Sequence, residues 1–371
     1  MTGFRYSNRR IRVLVVEDSR FMGSVIRQIL ASDPQIEVVG MAADGVEAVR
    51  AVAALAPTVV TMDVNMPHAD GLVAVERIMA ERPTPILMLS AYTRDGAAAT
   101  IRALELGAVD FVTKPTGSVG REIEELRETL IRKVKMAARV CPVRNAAPTV
   151  GAVGSAEGAG RAGTPVRPSP SAAVACVVVA ASTGGPSALL SVIPALPREL
   201  PASVLIVQHM PAPYTTQLAR ELSARSAVEV KEADAGEMLT PGVVYLAPGS
   251  RDLVVGPLGI VTLRPAPQNG GGCPSANLAM ASVARFAGPL AVGLVLTGMG
   301  EDGAEGAAAI RRAGGRVIAQ DEGSALIYGM PRAAVESGCV DAVVPLARIP
   351  ETILACLRDP IAYREWVGYA S

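Results

Sequence analysis

Histidine is scarce in this chain. There are two among 371 residues, His68 and His209. Any reaction that needs an imidazole base therefore has two choices. Cysteines number five, at 141, 176, 273, 339 and 356, with no Cys-x-x-Cys. That odd, scattered set excludes a disulfide frame and a zinc site and fits reduced thiols. Formal net charge is zero, so no phosphate-binding charge excess is visible and a nucleic-acid partner is not expected. No apolar run reaches the roughly 18 residues that a membrane span needs, and the N-terminus is polar and basic without an apolar signal core. The expectation is a cytoplasmic protein without membrane insertion. The length predicts two domains, and 50% apolar residues supply two cores.

The richest stretch is Cys176-Val-Val-Val-Ala-Ala-Ser-Thr-Gly-Gly-Pro-Ser187. It begins as an uninterrupted β-branched strand, which predicts burial on both faces of a parallel sheet. It breaks at Ser182. Two glycines free the backbone, and Pro186 suits the first turn of a helix. Such a turn lifts a side chain to the carboxyl edge of the sheet and points helix N–H groups at it. A serine there can attack a carbonyl with backbone donors ready for the oxyanion. Read locally, the same turn also fits a phosphate- or nucleotide-binding loop, although it lacks a P-loop lysine and the full Gly-x-Gly-x-x-Gly spacing. The histidine count favours the nucleophile. His209 ends Val204-Leu-Ile-Val-Gln-His209, the next apolar strand, and adjacent strands lie roughly 5 Å apart. The acid that would orient His209 is open on the residues alone, among Asp234, Asp252, Asp302, Asp321 and Asp341.

Residues 11–140 read as five strand–helix units, hence a doubly wound parallel sheet. Strands are expected at Ile11–Val16, Ile36–Gly40, Thr58–Asp63, Pro85–Ser90 and Val109–Val112, with helices between them. Polar residues gather at the strand ends: Glu17 and Asp18 after the first, Asp63 at the third, Ser90 at the fourth and Lys114 after the fifth. Three carboxylates on one edge call for a hard cation, and Mg²⁺ suits them. Asp63 then becomes a nucleophile toward a phosphoryl donor. Residues 141–173 turn to Pro, Gly, Ala, Ser and Thr and read as a flexible linker with a root-mean-square span of roughly 30 Å. Residues 174–371 return to strand–helix alternation. Strands are expected at Val174–Ala180, Ser203–Gln208, Leu290–Leu296, Gly315–Ala319 and Val340–Val344. Hairpin signals fall at Val243–Ala247, Leu253–Val255 and Ile260–Leu263. The fold expected is α/β, two doubly wound, mainly parallel-sheet domains: a flavodoxin-like one at 1–140 and a Rossmann-like one at 174–371 with an antiparallel hairpin edge.

The first segment resembles a response-regulator receiver, on Val15-Val-Glu-Asp-Ser19, Thr61-Met-Asp-Val-Asn-Met-Pro67, Leu89-Ser-Ala91 and Thr113-Lys-Pro115. The resemblance implies Asp63 as phospho-acceptor and Glu17, Asp18, Asp63 and the backbone of Asn65 around Mg²⁺. It makes Ser90 and Lys114 the contacts to the phosphoryl group and Phe111 the switch aromatic. The last segment resembles the chemotaxis protein-glutamate methylesterase family, on Ala181-Ser-Thr-Gly-Gly185, Val207-Gln-His-Met-Pro211, Tyr245-Leu-Ala-Pro-Gly249, Leu296-Thr-Gly-Met-Gly-Glu-Asp-Gly303 and Tyr328-Gly-Met-Pro331. That implies Ser182 as nucleophile, His209 as base and Asp302 as its orienter, with Thr183 and Met299 around the oxyanion and no cofactor in the esterase site. Methyl-accepting chemoreceptors would be the substrate and a chemotaxis histidine kinase the phosphoryl donor. The sequence departs from the family at Cys273, where a basic residue is usual, at Asn277, usually Asp, and at Arg251, often His. These changes are expected to alter substrate-groove contacts, and they motivate an alternative: a receiver-coupled docking protein with a weakened esterase domain.

Overall fold

The structure, a computed structural model, describes residues 10–66, 71–115, 121–140, 175–265 and 273–358. His68 and the linker at 141–173 lie outside the described residues.

The first unit runs β1 (Ile11–Val16), α1 (Arg20–Ala31), β2 (Ile36–Ala42), α2 (Gly45–Leu55), β3 (Val59–Asp63), α3 (Gly71–Glu81), β4 (Ile86–Ser90), α4 (Arg94–Glu105), β5 (Asp110–Thr113) and α5 (Arg121–Ala137). Its strands pair in parallel in the order β2-β1-β3-β4-β5. Side-chain oxygens set the helix starts. Ser19, Asp44 and Thr93 accept from the backbone N–H of Met22, Glu47 and Gly96, the usual N-cap geometry. Thr93 thus sets the start of α4 at Arg94.

The second unit runs β6 (Ala175–Ala181), α6 (Gly185–Val192), β7 (Ala202–Gln208), α7 (Ala212–Arg225), β8 (Glu229–Glu232), β9 (Val243–Leu246), β10 (Arg251–Val255), β11 (Val261–Pro265), α8 (Ala276–Ala287), β12 (Ala291–Val295), α9 (Ala304–Arg312), β13 (Arg316–Gln320), α10 (Met330–Glu336), β14 (Ala342–Val344) and α11 (Ile349–Arg358). Seven strands pair in parallel in the order β14-β13-β12-β6-β7-β9-β8. Every residue of β7 and β12 is buried, as is all of β6 after Ala175, as expected of parallel strands covered on both faces.

The expected antiparallel excursion is present, but it is β10 with β11 as a separate two-stranded sheet. Val243–Leu246, which follows a Pro-Gly turn and reads as the first hairpin strand, instead pairs in parallel with β7 and β8.

Both sheets reverse direction of winding beside their first strand. In the first, β1 lies between β2 and β3. In the second, β6 lies between β12 and β7. The carboxyl ends flanking these switch points are where open α/β sheets place ligands. The cores join: one apolar cluster runs from the first sheet through Phe111 to Tyr214 and the second sheet.

Candidate active site

The β6 strand ends at Ala181, and the register sets Ala181 opposite Gln208. The backbone N–H of His209 donates to the Ala181 carbonyl at 3.1 Å. Ser182 and His209 thus open two neighbouring loops, each one residue past its strand. The Ser182 turn is pinned from three sides. Its N–H donates to the Thr297 carbonyl (3.1 Å), Thr297 Oγ1 donates to the Thr183 carbonyl (2.9 Å), and Gln208 Nε2 donates to the Ser182 carbonyl (2.9 Å). Gly184 holds φ +78, and Pro186 falls in the first turn of α6. A Cβ at Gly185 would stand 2.0 Å from Gln208 Oε1, and one at Gly298 would stand 2.8 Å from Ser182 Cβ. These glycines are therefore required by close approach.

The third member arrives from across the switch point. Asp302 lies in the turn between β12 and α9, and its Oδ2 sits 2.8 Å from His209 Nε2. The side chains of His209 and Asp302 are 17% and 21% exposed, so the contact is largely shielded from solvent screening. Burial alone pushes the Asp302 carboxyl up. Hydrogen bonds from His209 and from the N–H groups of Ala276 and Asn277 outweigh it, and the net direction is below the usual aspartate value. Asp302 stays ionised as a partner for an imidazolium. Of the other acids, Asp252 accepts from the Ser275 N–H, Asp321 from Ser324 and Asp341 from the Val317 N–H. Asp234 pairs with Lys231. None of these bonds is to His209.

Cys273 lies beside this site in the wall of a cleft shared with His209. Burial, then the neighbouring Asp252 carboxylate, push its thiol up to about 11, so it is no thiolate nucleophile at neutral pH.

The structure brings Glu17, Asp18, Asp63 and Lys114 together and leaves the Ser90 hydroxyl turned elsewhere. Ligand atoms of Glu17, Asp18 and Asp63 lie within 4.8 Å of one another. Lys114 Nζ reaches Glu17 Oε2 and Asp63 Oδ2, each at 2.7 Å. Three carboxylates facing one ammonium carry an excess of negative charge that a divalent cation matches. Burial is the main force raising the Glu17 carboxyl, and a cation would relieve it. The donor set fits Mg²⁺. Ser90 is fully buried: its Oγ donates to the Gly96 carbonyl (3.2 Å) and accepts from Thr100 (2.8 Å), so its hydroxyl is engaged with α4.

Sequence reasoning did not find how the two sites meet. Asp110, one residue before Phe111, accepts a 2.6 Å hydrogen bond from Thr183 Oγ1, beside Ser182. Lys133 of α5 holds the same Asp110 oxygen at 2.9 Å and donates to the Phe111 carbonyl. Phe111 stacks on Tyr214 of α7, with ring centroids 4.3 Å apart. Tyr214 donates to the Ala91 carbonyl, Arg225 pairs with Glu105 at 2.6 Å, and Arg132 reaches Met299 Sδ at 3.8 Å. The α4–β5–α5 face of the first unit therefore covers the cleft. The available signal was an acid inside an otherwise apolar strand.

A receiver-type sheet joined to a second parallel sheet, with serine, histidine and aspartate at the latter's switch point, defines a response regulator with a hydrolase-type output domain. The family descriptions "CheB methylesterase" and "Response regulator receiver domain" match residues 177–353 and 13–126. The chain is 45% identical to a protein-glutamate methylesterase/protein-glutamine glutaminase of Pyrococcus abyssi over 94% of each chain. It is also 45% identical to one of Symbiobacterium thermophilum, over 93% of this chain and 96% of that one. The chain belongs to this family of receiver-linked CheB methylesterases. Among the described residues no helix is long and apolar enough to cross a membrane.

Proposed function

We propose that the chain is a phosphorylation-activated hydrolase of chemotaxis adaptation, with a receiver at 1–140, a linker at 141–173 and a catalytic domain at 174–371. Ser182 attacks the side-chain ester carbonyl of a methylated glutamate on a methyl-accepting chemoreceptor. The imidazole nitrogen of His209 that Asp302 does not hold takes the serine proton and passes it to departing methanol. Water then cleaves the acyl-enzyme to free glutamate. With a glutamine side chain the same steps expel ammonia. Thr183 and the turn at Met299 receive the developing oxyanion. The observation that carries this reading is the 2.8 Å His209–Asp302 contact across the switch point from Ser182.

Asp63 accepts the phosphoryl group, with a chemotaxis histidine kinase as donor. Glu17, Asp18, Asp63 and the Asn65 backbone would hold Mg²⁺, which neutralises charge on the incoming phosphoryl group. Ser90 and Lys114 contact that group once Ser90 leaves α4, and Phe111 relays the change. The unphosphorylated receiver keeps the cleft covered and Thr183 engaged. A docking role without hydrolysis is disfavoured, because the departures at Cys273 and Asn277 leave the His209–Asp302 contact in place.

The test is methanol release from methylated receptor membranes, with and without a phosphoryl donor, for wild type and Ser182→Ala. Release stimulated by donor and lost in Ser182→Ala is expected. Loss of a triad nucleophile costs on the order of 10⁴–10⁶ in rate. No release under either condition would return the docking alternative.

A further inference from the structure

Asp302 and Asn277 cap each other's helices. The carboxylate of Asp302, in the turn before α9, accepts the N–H of Ala276 at Oδ2 and of Asn277 at Oδ1, each at 2.8 Å. These are the first two N–H groups of α8, and Ser275 takes the third, from Leu278, with its own hydroxyl at 3.4 Å. In return, Asn277 Oδ1 accepts the N–H of Gly303 and of Gly306, each at 2.8 Å.

The second half of this exchange matters because α9 has no cap of its own. Its N-cap residue is Gly303, at φ +104, with no side chain to offer. An N-cap side chain normally accepts from the N–H three positions into the helix, which here is Gly306. Asn277 supplies that acceptor from another helix. Asp302 does not do so; its two oxygens accept from α8 and from His209. The turn carrying Asp302 is therefore fixed on both sides by one residue: the backbone of Asn277 holds the carboxylate, and its carboxamide holds the next residue's N–H.

We infer that Asn277 is a positioning residue for the triad, acting through Asp302. The inference rests on the triad reading given above. It also gives the Asp-to-Asn departure a place outside the substrate groove, since what the position must provide is an acceptor oxygen, and either side chain has one.

Steady-state methanol release from methylated receptor membranes, by the phosphorylated full chain, tests it. Asn277→Ala removes the acceptor, and Asn277→Leu removes it while filling the space. Displacing a catalytic group by about 1 Å costs on the order of 100-fold, so kcat should fall roughly 10- to 100-fold in both, with KM within about twofold. Asn277→Asp keeps an acceptor and should recover most of kcat. In an Asp302→Asn background, Asn277→Ala should add little further loss, because residues acting as a unit are not additive.

Wild-type kcat in both the alanine and leucine variants would overturn the inference. So would an Asn277→Asp variant as slow as Asn277→Leu, a fully additive loss in the double variant, or failure of both acceptor-less variants to fold. If Asp302→Asn is itself silent, the triad reading fails. If Asp302→Asn is severe and Asn277→Ala is not, only the role of Asn277 fails.

Discussion

Asp110→Ala should open the cleft without phosphorylation. Asp110 is 7% exposed, and its Oδ2 serves both Lys133 within the receiver and Thr183 across the interface. The Lys133 pair exists whether or not the domains are docked, so its loss lowers receiver stability without favouring either arrangement. The Thr183 bond exists only when they are docked. A hydrogen bond to a charged acceptor contributes about 1.5–3 kcal/mol. Removing it should raise the undocked fraction about 10- to 150-fold, as long as the docked form dominates. The change also frees Thr183 Oγ1, whose proton otherwise points at a receiver carboxylate instead of at substrate oxygen.

The assay is the initial rate of methanol release without donor, followed by addition of donor. The variant should start near the rate of phosphorylated wild type and respond little to donor. A fragment from Val174 onward sets the ceiling. If that fragment is fast while Asp110→Ala remains at the wild-type basal rate, the receiver covers the cleft but Asp110 is not the latch. If the fragment is no faster than the unphosphorylated full chain, covering is not the control at all.

Three further outcomes are expected. Asp63→Asn should keep the basal rate and ignore donor; stimulation by donor in that variant would move the phospho-acceptor elsewhere. Gly185→Ala should lower thermal stability and activity together, because its Cβ would meet Gln208 Oε1 at 2.0 Å; an unchanged melting midpoint would show that the Gln208 carboxamide can move aside. Asp302 has a folded pKa below its unfolded one, so the stability it adds is complete above the ordinary aspartate value and is lost as pH falls through the lower folded value. Asp302→Asn should therefore flatten the acid limb of melting temperature against pH, and a limb identical to wild type would refute the assigned direction.

Most of the fold was legible because buried parallel strands carry unbroken apolar stretches: all of β6, and residues 13–16 of β1, 86–89 of β4 and 204–207 of β7. Ser182 and His209 were legible for a different reason: with two histidines in the chain, topology had one strand-end imidazole to offer. The unreadable parts share a cause, which is that their partners are distant in sequence. β8 reads Glu-Val-Lys-Glu with only Val230 buried, so it has no apolar run to announce it and is a strand because β9 lies beside it. β9 was misplaced because Pro241-Gly242 is as good a turn before a crossover strand as before a hairpin. Asp302 could not be told from a capping aspartate on position alone, and it is one: it caps α8 as well as holding His209.

The same distance hides the control. Lys114, beside the proposed phospho-acceptor Asp63, directly follows β5, and Asp110 and Phe111, facing the proposed catalytic cleft, begin it. Four residues of extended chain span roughly 13 Å at about 3.3 Å per residue. Ser90 and Ala91 provide a second short link, since Ser90 is bonded to α4 and the Ala91 carbonyl is bonded to Tyr214, five residues beyond His209. In the proposed cycle, drawing the Ser90 hydroxyl toward a phosphoryl group on Asp63 would break its bonds to Gly96 and Thr100. It would act on the residue next to the one that Tyr214 holds. Both links end at the Phe111–Tyr214 stack. A change at Asp63 therefore needs no long pathway to reach the cleft, because the strand and loop proposed to bind the phosphoryl group are the ones that contact the second unit.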